Sequence, residues 1–324
     1  MLNASERTFG IELELLMDDS QSVASHLRNN GIDIRVEGYN HETRPNWKIV
    51  SDSSVGGRGN DRYLEGMEIV SPILLGEDGL NQVRALLSAL ESYSGVAKVN
   101  SSCGFHLHVD VSDLSLKQIK NTVKGQIKYE WVFDNFLPRS RRDNNNTYCS
   151  SVARRFGDGN TLSSIEETGF SLVDSARDMH QLQSQVQNSR FSKWNFANYG
   201  SRGTVEIRHG AGTLDSEKVT NWVELWTSFF GGFANARLRP SKLHHEQSNT
   251  DNSNGNLTLD KAIRRLFKHI RTSEGEIRKD LRKYYQKRVK ELNAQDAQRN
   301  AQRATNAALR VHNARDSSRY CVEA

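Results

Sequence analysis

Apolar and polar residues alternate through the first part of residues 9–17 (FGIELELLM), with Ile11, Leu13 and Leu15 on one face and Glu12 and Glu14 on the other. A period of two is that of a half-buried strand. The same reading predicts strands over 32–37, 47–51, 63–70, 105–111 and 204–209, the last preceded by another near 193–199. Over 80–90, 116–136 and 216–233 the period becomes helical; in the third segment Val219, Trp222, Val223, Trp226 and Phe230 make one apolar stripe. Successive strands with helical insertions of unequal length are not a regular βαβ repeat. The pattern predicts an α+β domain with a mainly antiparallel sheet and helices on one face.

Residues 240–256 (PSKLHHEQSNTDNSNGN) break this pattern and read as a polar linker between a domain over 1–239 and a helical tail over 257–324. In the tail Thr258 can cap a helix with the stripe Leu259, Ile263, Leu266, Phe267 and Ile270, and Ile277, Leu281, Tyr285, Val289 and Leu292 continue the period. Ala294, Ala297, Ala301, Ala304, Ala308 and Val311 then recur at spacings of three and four. That fits either a seam between packed helices, hence a homo-oligomer, or a solvated helix in which alanine serves propensity alone.

Charge divides at the same place. Residues 261–324 hold 17 Lys/Arg against 7 Asp/Glu, and residues 1–260 hold 27 against 32. An acidic body argues against the whole chain being a nucleic-acid binder, whereas the basic tail keeps that partner open for itself. No apolar run approaches the roughly 20 residues of a membrane span, so no membrane partner is expected. Cys103, Cys149 and Cys321 are an odd number without CxxC spacing, and the chain runs from Met1 into a strand without the regions of a signal peptide. Both features lead us to expect a cytoplasmic protein.

Three strands carry the chemistry. Glu12 and Glu14 project side by side about 7 Å apart, close enough to repel unless a cation or water intervenes. His106, His108 and Asp110 share one face of CGFHLHVD, and imidazoles can ligate a metal or donate to an anion. Glu206 and Arg208 share one face of GTVEIRHGAGTLD; a carboxylate suits a metal and a guanidinium suits phosphate. Singly, each has an ordinary alternative: a solvated strand face, surface histidines, a structural ion pair. Together they make one sheet surface suited to divalent ions, magnesium or manganese, and to phosphoryl transfer. Arg139, Arg141, Arg142, Arg190 and Arg202 are further phosphate candidates, and no Walker-type GxxxxGK[ST] is present.

The succession GIELE, DSSV, EGMEIVSPIL, CGFHLHVD and GTVEIRHGAGTLD, over roughly residues 8–235, resembles the amidoligase family of the glutamine synthetase and glutamate–cysteine ligase superfamily. The resemblance implies a glutamine synthetase-like curved, mainly antiparallel sheet with helices on one face, to which the tail adds a C-terminal helical extension. It implies an ATP-dependent ligase that joins a small-molecule or peptide carboxylate to an amine through an acyl phosphate, with two or more magnesium or manganese ions. By position, Glu12, Glu14, Glu65, Glu68, His106 and Glu206 would be metal ligands, and His108, Arg202, Arg208 and Asn195 would lie toward ATP. Asp52 would receive the amine proton, and Arg208, Arg141 and Arg190 would serve catalysis. Thr204 stands where the R-x-E-x-R element of the family has its first arginine, and Arg202 is the nearest substitute. Three rival readings remain: a kinase of the same fold, a metal hydrolase, and a nucleic-acid-binding or assembly protein acting through its tail.

Overall fold

A computed structural model describes residues 5–57, 59–157, 162–187, 189–241 and 257–320. In chain order the strands are β1 (Thr8–Met17), β2 (Ile34–Val36), β3 (Trp47–Ser51), β4 (Glu65–Val70), β5 (Leu74–Leu75), β6 (Ala97–Lys98), β7 (Gly104–Asp110), β8 (Trp194–Asn195) and β9 (Thr204–Ala211). The helices are α1 (Ser20–Asn29), α2 (Gly76–Glu91), α3 (Leu116–Asp134), α4 (Leu162–Ser175), α5 (Met179–Val186), α6 (Tyr199–Arg202), α7 (Ser216–Phe233), α8 (Leu259–Leu266) and α9 (Lys279–Tyr320). The strands form one open sheet in the order β2-β3-β4-β1-β7-β9-β8, with β5 and β6 also paired to β1. Among these strands only β2 and β3 pair in parallel, and their other pairings are antiparallel. The fold is therefore α+β, with a mixed and largely antiparallel sheet.

Alternation decides what each face of the sheet meets. Ile11, Leu13, Leu15, Ile69, Leu107, Val109, Val205 and Ile207 are buried in one core with α2, α3 and α7. The start of α7 is set by Asp215, whose carboxylate accepts the Lys218 amide, and that of α3 by a Ser115–Gln118 capping box. The buried stripe of α7 (Val219, Trp222, Val223, Trp226, Phe229, Phe230, Phe233) then lies on the sheet, where Trp194, Trp226 and Phe229 pack edge to face.

Three local expectations change. Of 193–199 only Trp194–Asn195 is strand, because a helical turn follows and closes at left-handed Gly203. Ile277 is not on a helix: it bridges Arg271 across a turn containing Gly275, and α9 begins after it. Helices α1, α4 and α5 were not predicted. In α1 only Val23, Ala24 and Leu27 are buried, too few to make a strong stripe.

Residues 242–256, most of the expected linker, lie outside the described residues. Beyond them Ile263, Leu266, Phe267, Ile270, Leu281, Tyr285 and Val289 are buried in the same core as the sheet. Tyr285 stacks on Phe136 and donates to the Asn221 carbonyl at 3.1 Å, and Arg278 pairs with Glu224 at 2.8 Å. Ala294, Ala297, Ala301 and Ala304 are exposed, and the side chains of Ala308 and Val311 lie outside the described ones. A Cβ on Gly232 of α7 would meet the His269 carbonyl oxygen at 1.7 Å. Gly232→Ala gains up to about 1 kcal/mol of helix propensity but loses roughly 1–3 kcal/mol to overpacking. Urea denaturation should show net destabilisation; an unchanged midpoint would mean that residues 257–270 are not packed there.

Candidate active site

The register of the sheet, more than the spacing within any strand, assembles the site. Glu12 lies opposite His106, Glu14 opposite Glu68, His108 opposite Glu206, and Glu206 opposite Asn195. Side chains opposite each other on one face are about 5 Å apart, so five strands, β4, β1, β7, β9 and β8, bring their polar groups into one cluster. The β7–β9 ladder is irregular between Phe105 and Leu107, where Arg208 and His209 face the single residue His106. Such a bulge re-aims the side chains beside it. Here Arg208 stays on the polar face, and His209 is buried against Trp222 and Trp226.

His106 is the hub. Its Nδ1 lies 3.2 Å from Glu12 Oε2 and 3.6 Å from Glu206 Oε1, and its Nε2 lies 3.3 Å from Glu14 Oε1. His108 Nε2 lies 3.1 Å from Glu12 Oε1. Glu14 also accepts the Gly104 amide at 2.5 Å, and a Cβ on Gly104 would meet Glu14, His106 and Arg141 at 3.1–3.3 Å, so only glycine leaves this approach open. Two groups, Glu12–His106–Glu206 and Glu14–Glu68–His106, each bring one ligand atom per residue within 4.8 Å of the others. Glu206 accepts from Arg208 on one oxygen and from Asn195 Nδ2 at 2.7 Å on the other.

The cluster is the floor of a cavity of about 1430 Å³. Asp52, Arg190, Arg202, Asn195 and Arg208 all line it, Asp52 toward the β3–β4 side and the arginines toward β8–β9. Two expected residues do not. Glu65 is exposed at the start of β4, opposite Met17; standing three residues before Glu68, it projects from the other face of the strand. Arg141 is buried behind Gly104, where its guanidinium donates to the Ser102 and Cys103 carbonyls.

Other residues of the site were not foreseen. Lys48, buried on the cavity side of β3, donates to the Asn40 side chain at 2.7 Å and to the Glu42 carbonyl at 2.7 Å, and Arg202 donates to the His41 carbonyl. The two cations thus hold residues 39–43 against the cavity. The lysine alternating with Trp47 and Ile49 was the available signal. Gln187 gave none: it donates to Asn195 Oδ1 at 2.8 Å and accepts the Phe196 amide at 2.8 Å, which fixes the amide that holds Glu206.

Electrostatics separates the carboxylates. Burial pushes the Glu68 carboxyl well above its ordinary 4.5, reinforced by the negative charges of Glu12, Glu14 and Asp52. Burial alone would raise Glu12 too, but the charge of His108 and hydrogen bonds from both histidines hold it well below 4.5. Burial would lower His108; the Glu12 carboxylate outweighs it and holds the imidazole above 6.5. A raised histidine stabilises the metal-free fold below 6.5 and loses that contribution as pH rises through the folded value; a depressed Glu12 contributes above 4.5 and loses it as pH falls. The pair therefore favours the metal-free protein most between these values, and a cation at Glu12 must compete with the His108 proton. Manganese affinity should rise from about pH 6 to about pH 8 with proton release. Calorimetry in buffers of different ionisation enthalpy measures this; pH-independent binding would exclude the competition.

No curated protein matches the chain. A family model described as "Putative amidoligase enzyme" matches residues 5–230, which span β1 through most of α7 and every cavity-lining residue named above. With that match over more than two-thirds of its length, the chain belongs to the amidoligase family, whose description points to a ligase that forms amide bonds.

Proposed function

We propose that the protein is an ATP-dependent carboxylate–amine ligase of glutamine synthetase-like type. The observation that carries this reading is one sheet face on which Glu12, Glu14, Glu68, His106 and Glu206 converge beside Arg208, Arg190 and Arg202. Carboxylate oxygens with one imidazole suit magnesium or manganese, and the Glu68 carboxyl is raised by burial and by the negative charges of Glu12, Glu14 and Asp52 crowded beside it. These five residues would hold the ions, which supply charge neutralisation at phosphate oxygens.

In the proposed reaction a substrate carboxylate oxygen attacks the γ-phosphorus of ATP, the bond to the β-phosphate oxygen breaks, and ADP leaves. Arg208, held in place by Glu206, faces the charge that develops, with Arg190 and Arg202 on the same side of the cavity. The amine nitrogen then attacks the acyl carbon, phosphate departs, and Asp52, which lines the opposite side, accepts the amine proton. Asp52 is held there by its own turn, accepting the Ser54 amide at 2.8 Å and its hydroxyl at 2.7 Å.

The test is incubation with ATP and magnesium against panels of acids and amines, read by mass spectrometry. Equal yields of amide, ADP and phosphate are expected. A stable phosphorylated product would instead identify a kinase, and turnover without nucleotide a hydrolase.

A further inference from the structure

We propose that the outward faces of α8 and α9 form a docking surface for duplex DNA, separate from the ligase cavity. The cavity is lined by residues numbered up to 208, whereas this surface begins at Lys261. The charge asymmetry of the chain points here: the part that follows residue 260 holds 17 Lys/Arg against 7 Asp/Glu, on a body with 27 against 32.

The two helices turn their basic residues outward. Lys261, Arg264 and Arg265 are exposed on α8, away from buried Ala262, Ile263 and Leu266, and Lys268 is exposed in the turn just after it. Lys279, Lys283, Lys287 and Lys290 are exposed along one line of α9, opposite buried Leu281, Tyr285, Val289 and Leu292. The faces adjoin: Asp260 Oδ2 accepts from Arg264 at 2.7 Å and its Oδ1 from Gln286 of α9 at 2.5 Å, and the charge of Arg282 acts on the same carboxylate. Among the described residues, Lys261, Arg265, Lys268, Lys279, Lys283 and Lys290 enter no salt bridge.

The chemistry around the charge favours nucleic acid over other anionic surfaces. A membrane-binding helix needs an apolar face to insert, and here the apolar faces of both helices are already buried in the core. Among the described side chains, none of the large exposed hydrophobic residues lies on α8 or on residues 279–307 of α9. An acidic protein would be expected to meet exposed aromatic or aliphatic anchors beside the charge, and among the described residues this surface has none.

Beyond Asp296, whose carboxylate pairs with Arg142 at 3.1 Å, the described side chains of α9 are all exposed. Exposed Ala294, Ala297, Ala301 and Ala304 keep the helix narrow, and Gln298, Gln302, Arg299 and Arg303 offer the amide and guanidinium groups that pair with adenine and guanine edges. A helix of this kind fits the major groove of B-DNA, about 12 Å wide, and not the narrow one of duplex RNA. Lys279 to Lys290 spans about 16 Å at 1.5 Å per residue. Over that length a duplex presents on the order of ten phosphates, enough for every lysine of the line.

The experiment uses the full chain and a fluorescent DNA duplex of about 20 base pairs, with anisotropy read across a sodium chloride series. Binding should weaken linearly in log–log form with salt. The variant Lys279→Gln/Lys283→Gln/Lys287→Gln/Lys290→Gln should bind at least roughly tenfold more weakly near 0.1 M salt, with a slope shallower by about 0.9 for each lysine that meets a phosphate. A second variant, Lys261→Gln/Lys268→Gln, reads the same surface from α8 and should also weaken binding. The idea fails if the wild-type protein does not bind the duplex at about 50 mM salt, or if both variants, folded by circular dichroism, bind as tightly as wild type. It also fails if phosphatidylserine vesicles or polyglutamate capture the wild-type chain better than the duplex does.

Discussion

Exchange of His106 for alanine should remove divalent-cation binding from the cavity and lower ligation by on the order of a thousand-fold. The reason is position rather than residue type. His106 belongs to both potential ligand groups: Nδ1 faces Glu12 and Glu206, and Nε2 faces Glu14. No other side chain is shared, so no other single truncation reaches both groups. His108, which stands on the same strand face and pairs with Glu12 but belongs to neither ligand group, is the internal control; its alanine variant should lose roughly 10–100-fold, the usual cost of removing a partner that orients a ligand. Manganese titration reports the cation, and amide formation reports the ligase. A His106→Ala protein that folds and still binds manganese as tightly as wild type would remove the hub from the site. Loss of manganese with full turnover would separate the metal from the chemistry.

The largest effect on stability is expected at Lys193, which no motif singled out. Its side chain is fully buried, with Nζ 2.6 Å from Asp134 Oδ1 and 3.2 Å from Glu130 Oε1. Glu130 also accepts the Ser151 hydroxyl and the amides of Val152 and Ala153 at 2.9 and 3.1 Å, and Asp134 accepts the Asp143 amide at 2.7 Å. The cluster therefore ties α3 to the 143–153 segment and to the residue preceding β8. Burial, and then the neighbouring charge of Glu130, push Asp134 up to about 6 despite the attraction of Lys193. Lys193→Met fills similar space but leaves buried Glu130 and half-buried Asp134 without their cation, at a cost of about 3–5 kcal/mol. Against a total stability of about 5–15 kcal/mol this is a large fraction.

The pH dependence has a definite sign. An acid whose folded value lies above its ordinary 3.8 holds its proton more tightly in the native state, so protonation below pH 6 favours folding. The penalty of Lys193→Met should therefore be largest near pH 8 and shrink near pH 5, as read by urea denaturation at both. Equal stability of variant and wild type near pH 8 would show that the ammonium is not needed. Because Trp194 and Asn195 follow directly, and Asn195 holds Glu206, the variant should also disturb the site.

The two residues show how differently parts of this protein could be read. His106 was visible because a strand has a period of two, and two histidines opposite an all-apolar face are an uncommon use of a surface. Lys193 and Gln187 were not, because a lone lysine or glutamine carries no period and its role depends on groups far away along the chain. The Glu65 and Glu68 pair lies between these cases. Both belong to the motif EGMEIVSPIL, but the strand sends residues three apart to opposite faces, and only Glu68 reaches the cavity. The tail divides in the same way: its apolar stripe was legible, but the docking of that stripe onto α3 and α7 was not.

By itself, then, the sequence determined which segments alternate, which face of each strand is polar, and that carboxylates, imidazoles and arginines share those faces. These properties follow from the local geometry of the backbone and the chemistry of side chains. Tertiary structure alone decided that Glu12 meets His106, that Glu14 meets Glu68 and that one histidine serves both groups. Strand order and register, set by burial of the opposite apolar face against α2, α3 and α7, bring together residues up to 194 positions apart in the chain, from Glu12 to Glu206.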